Sequence, residues 1–155
     1  MMFEEFNQCH ANGFGAMAIS ARTDFPSAPP IRHPVRIGVT LQFKDGASSV
    51  LQPAVYAVPT GKILFLDHIF LQGTLPLNQR MSLVLGKPGT LLACVDVASH
   101  SFLHSESLQT ASQSLSVHLH AGDRLAVGSR RNSKSGDSSV FEIIIIGHIV
   151  DISSI

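Results

Sequence analysis

Pro34 to Phe43, PVRIGVTLQF, alternates apolar and polar residues without a break: Val35, Ile37, Val39, Leu41 and Phe43 fall between Arg36, Gly38, Thr40 and Gln42. Successive side chains of a strand point to opposite faces, so this period of two predicts a half-buried β-strand. Ser114 to His120, SLSVHLH, repeats the pattern with Leu115, Val117 and Leu119 inward. Two further stretches are apolar at most positions: Lys62 to Gln72 (KILFLDHIFLQ) and Val140 to Ile152 (VFEIIIIGHIVDI). Strict alternation through the first puts Ile63, Phe65, Ile69 and Leu71 on one face and Leu64, Leu66 and Phe70 on the other. It also sends Asp67 and His68 to opposite faces. Strands with two apolar faces belong in the middle of a structure, because a two-layer sandwich buries only one face of each sheet.

Turn signals punctuate these runs. Lys44-Asp45-Gly46, Pro59-Thr60-Gly61, Gly86-Lys87-Pro88-Gly89 and Ala121-Gly122-Asp123 combine glycine, which accepts positive φ, with proline or aspartate. Between them, a strand around Ser49 to Gln52, RMSLVL (Arg80 to Leu85), LLACVDV (Leu91 to Val97) and Arg124 to Gly128 read as further strands. Ala98 to Gln113 is rich in Ser, Gln and His and has no sustained period, so it is expected to be loop, with a short helix or an edge strand as the alternatives. Roughly eight or nine short strands and no convincing helix predict an all-β fold, an antiparallel β-sandwich of jelly-roll-like topology over residues 34–155.

Residues 1–33 differ. They end in FPSAPPIRHP, whose prolines favour extended backbone and exclude helix. This segment is expected to be an extended N-terminal arm, laid on its own domain or on a neighbouring chain. Phe25, Pro26, Pro29, Pro30 and Arg32 are its candidate partner-binding residues.

Charge and composition then narrow the partners. Lys plus Arg and Asp plus Glu balance at 11 each, so the basic footprint of a nucleic-acid binder is missing. Charged residues make up 14% of the chain, against roughly 25% in an average soluble domain. So little polar material covers a small domain poorly, which points to a homo-oligomer, a trimer favoured over a dimer. No apolar run approaches the roughly 18 residues of a membrane-spanning helix, so no membrane insertion is expected. The start, MMFEEF, is acidic where a secretion signal is basic, so no signal peptide is expected. Cys94 reads as a buried free thiol, with a Cys9–Cys94 disulfide as the alternative.

VYAVPTGKILFLDHIFL resembles the tyrosine–x–valine–proline–small–glycine–lysine hairpin of small β-sandwich proteins from bacteriophages and bacteria. LHAGDRLAVGS, with the closing strand FEIIIIGHIVDI, resembles the ending of the same kind of domain. The resemblance implies a virion- or surface-associated jelly roll, often oligomeric and without catalysis. A virion location, with synthesis in the host cytoplasm, follows from it; the alternative is cytoplasmic.

The candidate chemistry is sparse. Of eight histidines, His118 and His120 lie two apart on one strand face, and His100 and His104 in the preceding segment could add ligands. Cupins use such a His-x-His pair on a β-sandwich, but their following glutamate is absent here: His120 leads into Ala-Gly-Asp-Arg. Closed metal sites need three or four convergent ligands, so solvated imidazoles and no metal are expected. No nucleophile elbow or phosphate-binding glycine loop occurs, so no catalytic residue and no cofactor are assigned. Arg130, Arg131 and Lys134 read as one basic loop that could meet an acidic neighbour. The expected function is that of a non-enzymatic structural protein of an assembly, most plausibly a phage decoration, cement or tail-associated protein. A carbohydrate-binding module and a cupin-like metalloenzyme are the alternatives. With no Trp and one Tyr, the aromatic platform of a sugar site is thin.

Overall fold

The computed structural model describes residues 31–102, 106–132 and 139–152. Among them nine strands follow in order: β1 (Arg32–Phe43), β2 (Ser49–Ala57), β3 (Lys62–Pro76), β4 (Met81–Lys87), β5 (Thr90–Val95), β6 (Ala98–Phe102), β7 (Glu106–His120), β8 (Arg124–Arg131) and β9 (Ser139–Asp151). They form two antiparallel sheets, β1-β9-β3-β7-β6 and β2-β8-β4-β5. The pairing is nested: β4 pairs with β5, β3 with β7, β2 with β8 and β1 with β9. The chain is in effect one long hairpin rolled on itself, which is the jelly-roll arrangement, with β6 added at one edge. The expected all-β, jelly-roll-like sandwich is therefore the observed fold. β1 starts at Arg32, two residues ahead of the expected boundary; Ile31 before it is exposed, and residues 1–30 of the expected arm lie outside the described residues.

The alternating strands bury the faces that their sequences select. Ile37, Val39, Leu41 and Phe43 of β1 and Val117 and Leu119 of β7 face the second sheet. Phe43 meets Phe141 edge to face at 5.9 Å. Gly73, opposite Phe141, leaves room for that ring: a Cβ there would collide with it.

Three expectations are corrected. Within this stretch from Ala98 to Gln113, residues 98–102 are β6, the edge strand held as an alternative, and residues 106–113 are the first half of β7 rather than loop. Its inward positions include Ser107 and Gln109, both buried, so a hydrophobic period could not reveal it. The Gln109 amide donates to Ser99 Oγ and Ser107 Oγ, each at 2.8 Å, and to the Gln79 carbonyl at 3.3 Å. Those bonds offset the cost of placing an amide where a strand normally buries an apolar group.

The second correction concerns β3. Its register against β9 shifts between Leu66 and His68, so Asp67 is an extra residue in a β-bulge. Leu64, Leu66, Ile69 and Leu71 all face the core. Asp67 and His68 therefore both lie on the outer side. From Ile69 onward the faces are the reverse of those that strict alternation assigns. Gly147, opposite Leu66, accommodates the bulge, since a Cβ on it would run into the Phe65 carbonyl.

On the smaller sheet a second cluster lies away from the main core. Val84 and Ala126 are buried there, with Leu51, Leu91 and Cys94 packed against them. Cys94 is disulfide-bonded, which corrects the expectation of a free thiol; Cys9 lies outside the described residues.

Candidate functional site

With β3 in its observed register, the outer face of the larger sheet becomes an ordered array. Reading across β1, β9, β3 and β7, the first row is Pro34, His148, Phe65 and His118. The second is Arg36, Ile146, His68 and Ser114. The third is Gly38, Ile144, Phe70 and Ser112, and the fourth is Thr40, Glu142, Gln72 and Thr110. Phe65, Phe70, Ile144 and Ile146 thus form an apolar island on the two central strands. Phe70 and Ile146 are each 40% exposed, a high value for large apolar side chains in mid-strand. Serine, threonine, histidine, Arg36, Glu142 and Gln72 surround them.

The histidines are fixed by their neighbours. The His148 ring stacks on Phe65, with centroids 5.0 Å apart and planes 10° from parallel. Its Nδ1 lies 2.8 Å from Asp67 Oδ2. A carboxylate only accepts, so Nδ1 carries the hydrogen. The bulge is what brings Asp67 within reach. His68 Nε2 bonds with Ser112 Oγ at 3.0 Å, and its ring leans on Phe70 at 4.4 Å. On the other side of Phe65 lies His118, centroid to centroid 6.0 Å. His118 and His120 meet edge to face at 5.2 Å.

Two acidic groups brace this end of the sandwich. Asp123 accepts the His120 backbone N–H at 2.9 Å and faces Lys87 Nζ at 3.3 Å. The first bond, then the lysine, holds its carboxyl below the ordinary value. Asp151 pairs with Lys62, whose hydrogen bond and charge lower its carboxyl likewise.

The structure sorts the residues singled out in the sequence. His118 and His120 stand side by side. His100 lies opposite Leu108, ten residues along β7 from His118 and so roughly 33 Å away, which removes it from any shared site. His104, Lys134, Phe25, Pro26, Pro29 and Pro30 lie outside the described residues. Arg32 is exposed at the start of β1, opposite Val150. Arg130 is exposed at the end of β8. Arg131 is not a partner-facing side chain: it is 2% exposed. Its Nε donates to the Ala47 carbonyl at 2.7 Å and its terminal nitrogen to the Lys44 carbonyl at 3.1 Å. The guanidinium lies 5.1 Å from the centre of the Phe43 ring. It ties the β1–β2 turn to β8, so its role is structural.

Sequence reasoning missed the Asp67–His148 pair; it gave the two strands a second apolar face but, reading β3 without its bulge, not the set of residues that forms the island. The signal that could have found both is the charged Asp-His step inside an apolar strand, which marks a bulge. No protein-family model, curated protein or solved structure matches the chain.

Proposed function

We propose that this protein is a non-enzymatic structural protein that binds protein subunits through the outer face of its larger sheet, and that the first occupant of that face is a second copy of the chain. The observation that carries this reading is the island of Phe65, Phe70, Ile144 and Ile146 inside a polar rim. An apolar centre with a polar margin is the anatomy of a protein interface. The missing side chain of Gly38, beside Ile144, leaves a depression that an apolar group of a partner fills. Arg36 flanks Ile146 on β1, and Glu142 lies on β9 just beyond Ile144, with the Gly38–Ile144 row midway between them. A two-fold pairing about that row sets Arg36 of each copy near Glu142 of the other, and such complementarity fixes register. The scarcity of charge supports the same reading. So does the resemblance to phage sandwich proteins, which makes a virion component the assembly we favour. The unit built by this contact is a dimer; the trimer expected from composition would need a second contact.

Light scattering of the full-length chain tests it. Twice the 16.6 kDa chain mass is expected at micromolar concentration, and the chain mass alone for Phe70→Asp and Ile146→Asp. Arg36→Glu and Glu142→Arg should each weaken association, and the two together should restore it. A monodisperse monomer for the unaltered chain overturns the self-pairing. Sugar binding on a glycan array, lost in Phe65→Ala, would reassign the face to carbohydrate recognition.

A further inference from the structure

Four histidines lie on or beside the outer face, and they are not equivalent. His68 and His148 each commit a ring nitrogen to a neighbour, Ser112 and Asp67. The ring nitrogens of His118 and His120 make no hydrogen bond to another described residue. Both side chains are exposed and project from the same face of β7. β6 pairs with β7 only as far as Thr110, so none of the described strands adjoins their other side.

We propose that His118 and His120 form a two-histidine chelate for a divalent transition-metal ion of the zinc, nickel and copper group. The spacing suits it. Two imidazoles bound to one ion through metal–nitrogen bonds of about 2.1 Å, at a tetrahedral angle, put their ring centroids roughly 5 Å apart. The observed separation is 5.2 Å with the rings edge to face, so one exposed ring turns about its side-chain bonds to aim a nitrogen at the shared ion. Residues two apart on a strand share a face, so once one ring binds, the second meets the same ion at high effective concentration. Neutral imidazole is a preferred ligand for these ions and a poor one for calcium or magnesium.

The protein supplies two ligands and no more. Phe65 stands between His118 and His148, which places His148 two strand spacings away, roughly 10 Å, and out of reach. The carboxylate of Asp123 is engaged by the His120 backbone and Lys87. Among the described residues no group of three or more His, Cys, Asp or Glu converges on one point. The site is therefore open, with its remaining positions left to water or to a donor from another molecule. This places it apart from closed structural zinc sites and from the three-ligand catalytic kind.

Isothermal titration of the full-length chain with nickel chloride, and then zinc chloride, tests the proposal. One ion per chain is expected at the pair, with nickel bound more tightly than zinc only if geometry leaves the intrinsic affinities balanced, so occupancy rather than order is the readout. His118→Ala and His120→Ala should each weaken that binding by about tenfold or more, and the double variant should abolish it. His68→Ala, whose ring is already engaged, serves as the control and should bind as the unaltered chain does. All three positions lie on the outer face of the sheet, and circular dichroism verifies that each variant keeps its β-fold. No binding up to about 1 mM metal, or binding that survives in the double variant, overturns the proposal.

Discussion

The carbonyl oxygen of Phe65 occupies the space into which any side chain on Gly147 would have to project. The two residues sit on neighbouring central strands at the point where Asp67 is inserted into β3. The glycine is needed for closeness of approach rather than for an unusual backbone angle, and the outer-face array depends on it. Gly147→Ala is expected to destabilise the fold by about 1–3 kcal/mol, since backbone must move to admit one methyl group. In a chain lacking Asp67 the same substitution should cost less, because the bulged carbonyl is then drawn back into the ladder. Urea unfolding of the four chains measures the coupling.

Arg131 and Arg130 are adjacent in sequence and should respond in opposite ways. Arg131→Met removes the donors that hold the Lys44 and Ala47 carbonyls, so a loss of about 2–4 kcal/mol is expected. Arg131→Lys should recover only part of it, because an ammonium cannot reproduce the planar fork. Arg130→Ala, at an exposed position, should stay within about 0.5 kcal/mol of the unaltered chain. Denaturant midpoints at constant slope decide between these outcomes.

Acid should weaken the end of the sandwich that carries Asp123 and Asp151. Both carboxyls are held below their ordinary value of 3.8, so folding favours their ionised forms. The contribution of each is complete above the unfolded value and is lost as pH falls through the lower folded one. Thermal midpoints should therefore fall on going below about pH 4, and Asp123→Asn should flatten that limb while lowering the midpoint at neutral pH. An acid limb as steep in the variant as in the parent chain would exclude Asp123 as a contributor.

Polar replacements on the outer face should leave monomer stability nearly unchanged. Phe70→Ser and Ile146→Ser alter side chains that are already substantially in water, so shifts within about 0.5–1 kcal/mol are expected. A change in association measured with such variants then reports on the surface itself. A large drop in unfolding free energy would show instead that the island is part of the core.

The strands of the fold were legible because most of them alternate cleanly. In β1 every second residue from Val35 to Phe43 turned inward as read. In β3 the reading held as far as Leu66 and then inverted, because one inserted residue exchanges the faces of everything after it. The start of β7 was hidden because the polar residues Ser107 and Gln109 occupy inward positions, where the Gln109 amide nitrogen donates to Ser107 Oγ. The candidate face was less legible still. His118 and His120 are neighbours along the chain and could be paired from sequence. Phe70 and Ile144, or Asp67 and His148, come together only through the register of β3 against β9, which no local pattern encodes.

The nested pairing has a consequence for how the molecule is made. β9, the last of the nine described strands, lies between β1 and β3, and among the described strands β1 pairs in its sheet with β9 alone. During synthesis β1 emerges well before β9, so its backbone ladder stays unpaired until nearly every other described strand has left the ribosome. Contacts closed so late, between segments so distant in sequence, make folding slow and leave the nascent chain open to aggregation or chaperone capture. Chains truncated ahead of Ser139 should accordingly remain sensitive to protease throughout β1, whereas completion of β9 should protect both strands together.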